Sequence, residues 1–217
     1  MSERYNVAAS DVLGDNYEIT NIVCSDYNPS IDSTITVTVS VDDVYGDAVS
    51  GESVTVTVSE GNFTQLNGSD ITTASSVTGT TNSSGEFTLT YSCTEWGLIT
   101  FTANNKSTQV NVTGWKQVQS LNNDRVVVYT DGKNAKIKIS GTFVTSTSAG
   151  EYQLATINSA YQPDATYSTN YSYGATLYSP VYLKLDDTVV RLQKGSTSSA
   201  NVACYCTLYY PLGTPLY

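Results

Sequence analysis

Apolar side chains alternate with hydroxyl-bearing ones at a period of two in stretch after stretch of this chain. Ile35-Thr-Val37-Thr-Val39-Ser-Val41 is the cleanest run. Val54-Thr-Val56-Thr-Val58, Phe87-Thr-Leu89-Thr-Tyr91, Ile99-Thr-Phe101-Thr-Ala103 and Val110-Asn-Val112 repeat it. Neighbouring side chains on an extended strand point to opposite faces, so each run has one apolar face and one polar face. That pattern predicts strands buried on one side, as in an antiparallel sandwich. Gly, Asn, Asp and Ser clusters separate the runs and supply turns. No stretch repeats convincingly at 3.6 residues. The expected fold class is therefore all-β.

The strands with their punctuation fill 17–114, which suits an immunoglobulin-like sandwich of about seven short strands. Within it, the polar and Gly-rich segment 61–84 is expected to hold one or two weak strands and exposed loops. Residues 1–16 are expected to form a flexible or docking arm. A second all-β domain, a sandwich or jelly roll, is expected over 115–217. Its strands are read at Arg125–Tyr129, Lys136–Val144, Val181–Leu185, Val189–Leu192 and Val202–Tyr210, with Asp131-Gly132 as a hairpin turn.

Composition excludes whole classes of chemistry. There is no His, which removes His metal ligands and every Ser-His or Cys-His nucleophile pair. A net charge of −10 opposes nucleic-acid binding. The charge is uneven: residues 1–114 hold fourteen acidic and two basic side chains, and residues 115–217 hold six and eight. Phosphate-binding glycine loops and G-x-S-x-G are absent. Asp42-Asp43 and Asp186-Asp187 are adjacent pairs on strands or turns, so their carboxylates diverge. They read as solvated turns, with calcium at a turn Asp left open. No catalytic, cofactor-binding or metal-ligating residue is assigned. Cys24, Cys93, Cys204 and Cys206 read as small apolar packing groups, or, for Cys24 and Cys93, as an inter-strand disulfide.

The run Val37-Thr-Val39-Ser-Val41-Asp-Asp-Val-Tyr-Gly46-Asp-Ala-Val49-Ser-Gly51-Glu-Ser-Val54 resembles bacterial Ig-like domains of the Big-1 type, found in intimin- and invasin-like adhesins and in phage structural proteins. Ala48 stands where the family usually has Pro. Thr80-Thr-Asn-Ser-Ser-Gly85-Glu-Phe87-Thr-Leu89 and Glu95-Trp96-Gly97-Leu-Ile99-Thr-Phe101-Thr-Ala103 resemble two later motifs of that family. Leu154-Ala-Thr-Ile157-Asn-Ser-Ala-Tyr161-Gln-Pro163 resembles a stretch in the C-terminal heads of phage tail-fibre and receptor-binding proteins. These resemblances imply spacer and display domains rather than an enzyme.

Twelve of the 17 Tyr fall after residue 114. Tyr161, Tyr167, Tyr171, Tyr173 and Tyr178, mixed with Ser, Thr, Asn and Gly, have the composition of adaptable recognition loops. They are candidate contacts to a receptor or glycan; the competing reading places them at core edges and a subunit interface. The first ten residues lack the apolar core of a secretion signal, and no apolar run matches a membrane helix. The expectation is a non-enzymatic protein on a virion surface, bound to tail or capsid proteins through its N-terminal region and to a host glycan or protein through a homotrimeric head. A capsid decoration or head-fibre protein, a cellular adhesin and a polysaccharide-degrading enzyme using Glu151 and Asp164 are the alternatives.

Overall fold

The structure, a computed structural model, describes residues 18–145, 148–171, 181–194 and 201–217. The expected arm over 1–16, with Tyr173 and Tyr178, lies outside them. The chain divides into two compact units between Thr113 and Gly114. Apart from one 3-10 turn at Ser159–Tyr161, the described residues form strands, bridges and turns.

The first unit holds nine strands: β1 (Glu18–Cys24), β2 (Thr34–Asp42), β3 (Ser53–Val58), β4 (Asn62–Leu66), β5 (Ser69–Ala74), β6 (Ser76–Thr80), β7 (Glu86–Ser92), β8 (Gly97–Ala103) and β9 (Lys106–Val112). They form an immunoglobulin-like sandwich of a five-stranded sheet, β1-β2-β7-β4-β5, and a four-stranded sheet, β6-β3-β8-β9. Every pairing of named strands is antiparallel. The alternation seen in sequence sets the packing. Ile35, Val37, Val39 and Val41 of β2 are buried, and the Thr and Ser between them are not. Phe63, Tyr91 and Phe101 meet at the centre, Tyr91 and Phe101 edge to face at 5.1 Å. The Tyr91 hydroxyl donates to the Glu60 carbonyl, so this buried phenol has its partner. Trp96 packs partly buried against the same core.

Turn chemistry holds the strands in place. The Asp43 carboxylate accepts from the Tyr45 and Asp47 N–H groups and closes the turn after β2. Gly85 has φ +72°, and a Cβ there would lie 2.6 Å from the Val41 carbonyl oxygen, so both conformation and space require Gly. Thr81, buried between β6 and β7, donates its hydroxyl proton to Val49 O and accepts from Glu52 N–H.

The segment 61–84 departs from expectation. It forms three strands, β4, β5 and β6, and raises the count to nine. Its polarity hid this because β5 and β6 are sheet edges. Phe63 supplies the one large core side chain here, and Gly79 leaves room for the Phe87 ring, which a Cβ would meet at 2.4 Å.

The second unit is a sandwich of two four-stranded sheets. One has the order β10-β11-β12-β17, from Lys116–Leu121, Val126–Thr130, Asn134–Val144 and Asn201–Pro211. The other runs β13-β16-β15-β14, from Gly150–Thr156, Val189–Lys194, Val181–Asp186 and Tyr167–Tyr171. β12 and β17 pair over their whole length, from Asn134 opposite Pro211 to Val144 opposite Asn201. Val126, Val128, Ile137, Ile139, Leu183, Leu185 and Leu192 form the core between the sheets. Buried Thr130 caps the Asp131-Gly132 turn: its hydroxyl donates to Asn134 O and accepts from Gly132 N–H.

Candidate functional site

The tyrosines read as recognition residues separate into different roles. The Tyr161 carbonyl accepts from the Tyr210 hydroxyl at 2.9 Å. The Tyr167 hydroxyl donates to Asp164 at 2.7 Å, and its ring lies 6.1 Å from that of Tyr210. That hydrogen bond, with burial and the Asp164 charge, raises the Tyr167 pKa. Tyr161 and Tyr167 both pack against the core of the second unit, with the buried Tyr210 between them. Tyr171 pairs through its backbone with Val181 at the end of β14. The structure thus brings Tyr161 and Tyr167 together at the core rim.

A different aromatic group stands on the outer face of the β10-β11-β12-β17 sheet. Gln117, Tyr129, Lys136 and Tyr209 lie side by side across its four strands. They share a face because each occupies the polar phase of its strand's alternation. Ile137 and Leu208, one residue away on β12 and β17, point into the core. Trp115, just before β10, packs edge to face with Tyr209 at 6.2 Å. The Lys136 ammonium sits 4.4 Å from the Trp115 ring centre and 5.2 Å from that of Tyr129. Lys138 and Tyr205 extend the face; Tyr205 and Tyr209 are each 62% exposed, so the tyrosines are offered to solvent rather than spent on packing. None of the four strands contains an Asp or Glu, while β12 carries Lys136 and Lys138 on this face. This face combines flat rings with lysine ammonium groups. Such a surface can stack on the C–H faces of sugar rings and attract acidic groups.

Sequence reasoning missed this platform because its members come from positions 115, 129, 136 and 209. The signal was present in Lys136-Ile-Lys138 and Tyr205-Cys-Thr-Leu-Tyr209, whose outward phases carry Lys and Tyr.

The carboxylates are engaged elsewhere. Glu151 lies 3.7 Å from Lys184 and 3.9 Å from Arg191. Asp186 accepts from Thr166 and lies 3.5 Å from Lys184; these neighbours, Thr166 foremost, lower its pKa. Asp164 holds Tyr167. Among the described residues no group of three or more Cys, Asp or Glu converges to hold a metal ion.

All four cysteines are free thiols. Cys24 and Cys93 are buried in the first unit, and burial, then the nearby Cys93, pushes the Cys24 thiol up to about 11. Cys24 faces Val37 of β2 and Cys93 follows β7 on the other side of β2. Both stand as separate free thiols, with Cys93 close enough to act on the charge of Cys24. Cys204 and Cys206 do point the same way, with sulfurs 3.6 Å apart. Either thiol can donate in this contact, and the shared hydrogen bond lowers the Cys206 pKa and raises that of Cys204.

No protein-family model and no curated protein matches the chain. Similar solved structures include invasin, a bacterial integrin-binding protein, at 14% identity and TM-score 0.37, covering 90% of this chain and 37% of that one. The D0-D1 domains of intimin match at 15% and 0.31, covering 82% of this chain and 99% of theirs. Domains 5-6 of the S-layer protein SbsC match at 15% and 0.29, covering 90% and 98%. TM-scores this low carry no functional argument. What can be said of the chain's activity rests on its own residues.

Proposed function

We propose that this chain is a non-enzymatic adhesion protein displayed on a virus particle, whose second unit contacts host-surface glycan. The observation that carries this reading is the face bearing Trp115, Tyr129, Lys136, Tyr205 and Tyr209, on strands that contain no Asp or Glu. The first unit serves as a rigid spacer, and the N-terminal region docks on tail or capsid proteins. The head assembles as a homotrimer, so that weak single contacts add through multiplicity.

The test is a glycan array probed with the full chain, alongside Trp115→Ala and Lys136→Gln. Binding that falls at least tenfold in each variant, with unchanged melting, supports the reading; no glycan bound by the wild type overturns it. Immunogold labelling of particles assigns the docking site. Label along the capsid instead of the tail makes the chain a decoration protein, and label on cells alone makes it a cellular adhesin. Sedimentation at high concentration tests the trimer, and a monomer removes it.

A further inference from the structure

At one end of the second unit the turn between β10 and β11 stands over a cleft of about 330 Å³, lined by Asn122, Asn123, Arg125, Phe143, Gln153 and Leu154. The local chain is unusual. Asn122, Asn123 and Asp124 all adopt positive φ, at 54°, 54° and 62°. Three consecutive left-handed residues are costly for any side chain, and Asn and Asp tolerate them best. Side chains fix the turn: Asn122 Nδ2 donates to Leu154 O, and Ser120 Oγ donates to Asp124. On the far wall, β13 carries a bulge between Gln153 and Ala155, which sets Gln153 out of regular register.

Gly141 places the arginine. A Cβ at Gly141 would lie 3.0 Å from Arg125 Cγ and 3.1 Å from Cδ. The bare Gly therefore leaves a track along which the arginine stem lies. Arg125 Nη1 donates to Thr142 O at 3.0 Å, which uses one of five N–H donors. Among the described residues no carboxylate pairs with this guanidinium. Among the described residues none lines the cleft either. The lining thus offers a positive fork, three carboxamides that both donate and accept, and the apolar surface of Phe143 and Leu154. A guanidinium fork matches a carboxylate, carboxamides match vicinal hydroxyls, and an apolar wall matches the C–H face of a pyranose.

We infer that this cleft is a second binding site, selective for a sugar residue that carries a carboxylate. The inference rests on the glycan-contact reading of the second unit but uses different residues from the Trp115 platform. It assigns the platform to ring stacking along a chain and the cleft to recognition of one acidic sugar.

The test titrates the full-length protein with methyl glucuronoside and with methyl glucoside as the neutral control, followed by NMR. The expected result is saturable shifts at Asn122, Asn123 and Gln153 with the uronide, at least tenfold weaker with the glucoside. Arg125→Gln should abolish the preference for the acid, and Arg125→Lys, which keeps the charge without the fork, should recover little of it. Gln153→Ala, on the opposite wall, should weaken both sugars. Trp115→Ala should leave these titrations unchanged. Equal shifts with both sugars, or a preference that survives Arg125→Gln in a folded protein, overturns the cleft assignment. Undiminished array binding to uronate-bearing glycans in Arg125→Gln sinks the cleft and leaves the platform standing. Uronide binding by a protein that captures no polymer overturns the adhesion reading and leaves the cleft.

Discussion

Cys24 shows how burial at one residue becomes a property of the protein. Its thiol is held at about 11 against an ordinary value of 9.0, first by burial and then by Cys93. A thiol that stays protonated longer in the folded than in the unfolded chain contributes stability that is full below the unfolded value and is lost as pH rises through the folded one. Urea unfolding should therefore show stability falling between about pH 9 and pH 11. Cys24→Ala should remove part of that fall, the rest coming from Cys93, Cys204, Tyr91 and Tyr210, whose pKa values are also raised in the folded protein, and an unchanged profile would rule Cys24 out as a contributor. The cysteines should also differ in reactivity. Cys206 is half-buried, and the Cys204 thiol lowers its pKa, whereas Cys24, Cys93 and Cys204 are buried. Maleimide on the native protein should label Cys206 first, with all four thiols reacting only in denaturant. Gly79 is a third case: a methyl there meets the buried Phe87 ring at 2.4 Å. Gly79→Ala should destabilise the first unit by about 1–3 kcal/mol, read by chemical denaturation.

Among the elements, the strands that bury one face were legible in sequence and those at the edges were not. The runs at Ile35–Val41, Val54–Val58, Phe87–Tyr91, Ile99–Ala103 and Val110–Val112 all fall within strands, with their apolar members buried. β5 buries none of its side chains fully, so its alternation leaves no apolar trace. The same physics divided the tyrosines. Composition cannot tell Tyr167, tied to Asp164 and packed on Tyr210, from Tyr209, which stands in solvent. Strand phase can: Tyr209 and Tyr210 are adjacent and therefore point oppositely. The Arg125 cleft was illegible because it depends on a left-handed turn, a bulge and a missing side chain on three different segments. Connections between elements carry their own weight. Thr81 bonds both Val49 O and Glu52 N–H, joining the β2–β3 loop to the start of the β6–β7 turn. Thr81→Val keeps the shape but leaves both groups short of a partner. It should cost about 1–3 kcal/mol, with hydrogen exchange rising first at Gly51 and Glu52.

For the whole molecule, two separate cores imply two cooperative transitions. The buried clusters centred on Phe63, Tyr91 and Phe101 and on Ile137, Leu183 and Leu192 share no residue. Calorimetry should resolve two unfolding events, and Gly79→Ala should move only one of them. A single transition displaced as a whole would show the units to be one thermodynamic body. The division also separates charge: the first unit is strongly acidic, and the second carries the lysine-bearing platform and the Arg125 cleft. Sequence showed that asymmetry plainly, because it needs only counting; where the positive charge gathers required the register of four strands.

The two tryptophans fall one to each unit, and they sit in unlike surroundings. Trp96 packs against the core of the first, while Trp115 lies on the open face of the second beneath the Lys136 ammonium. The protein therefore carries two natural optical probes with different duties. Emission from Trp96 follows the melting of one core. Emission from Trp115, with a cation resting on its indole, would change colour if a sugar ring displaced that cation, as the proposed function requires. A Trp96→Phe protein would turn the platform into its own sensor, reporting each binding event as light without any added label.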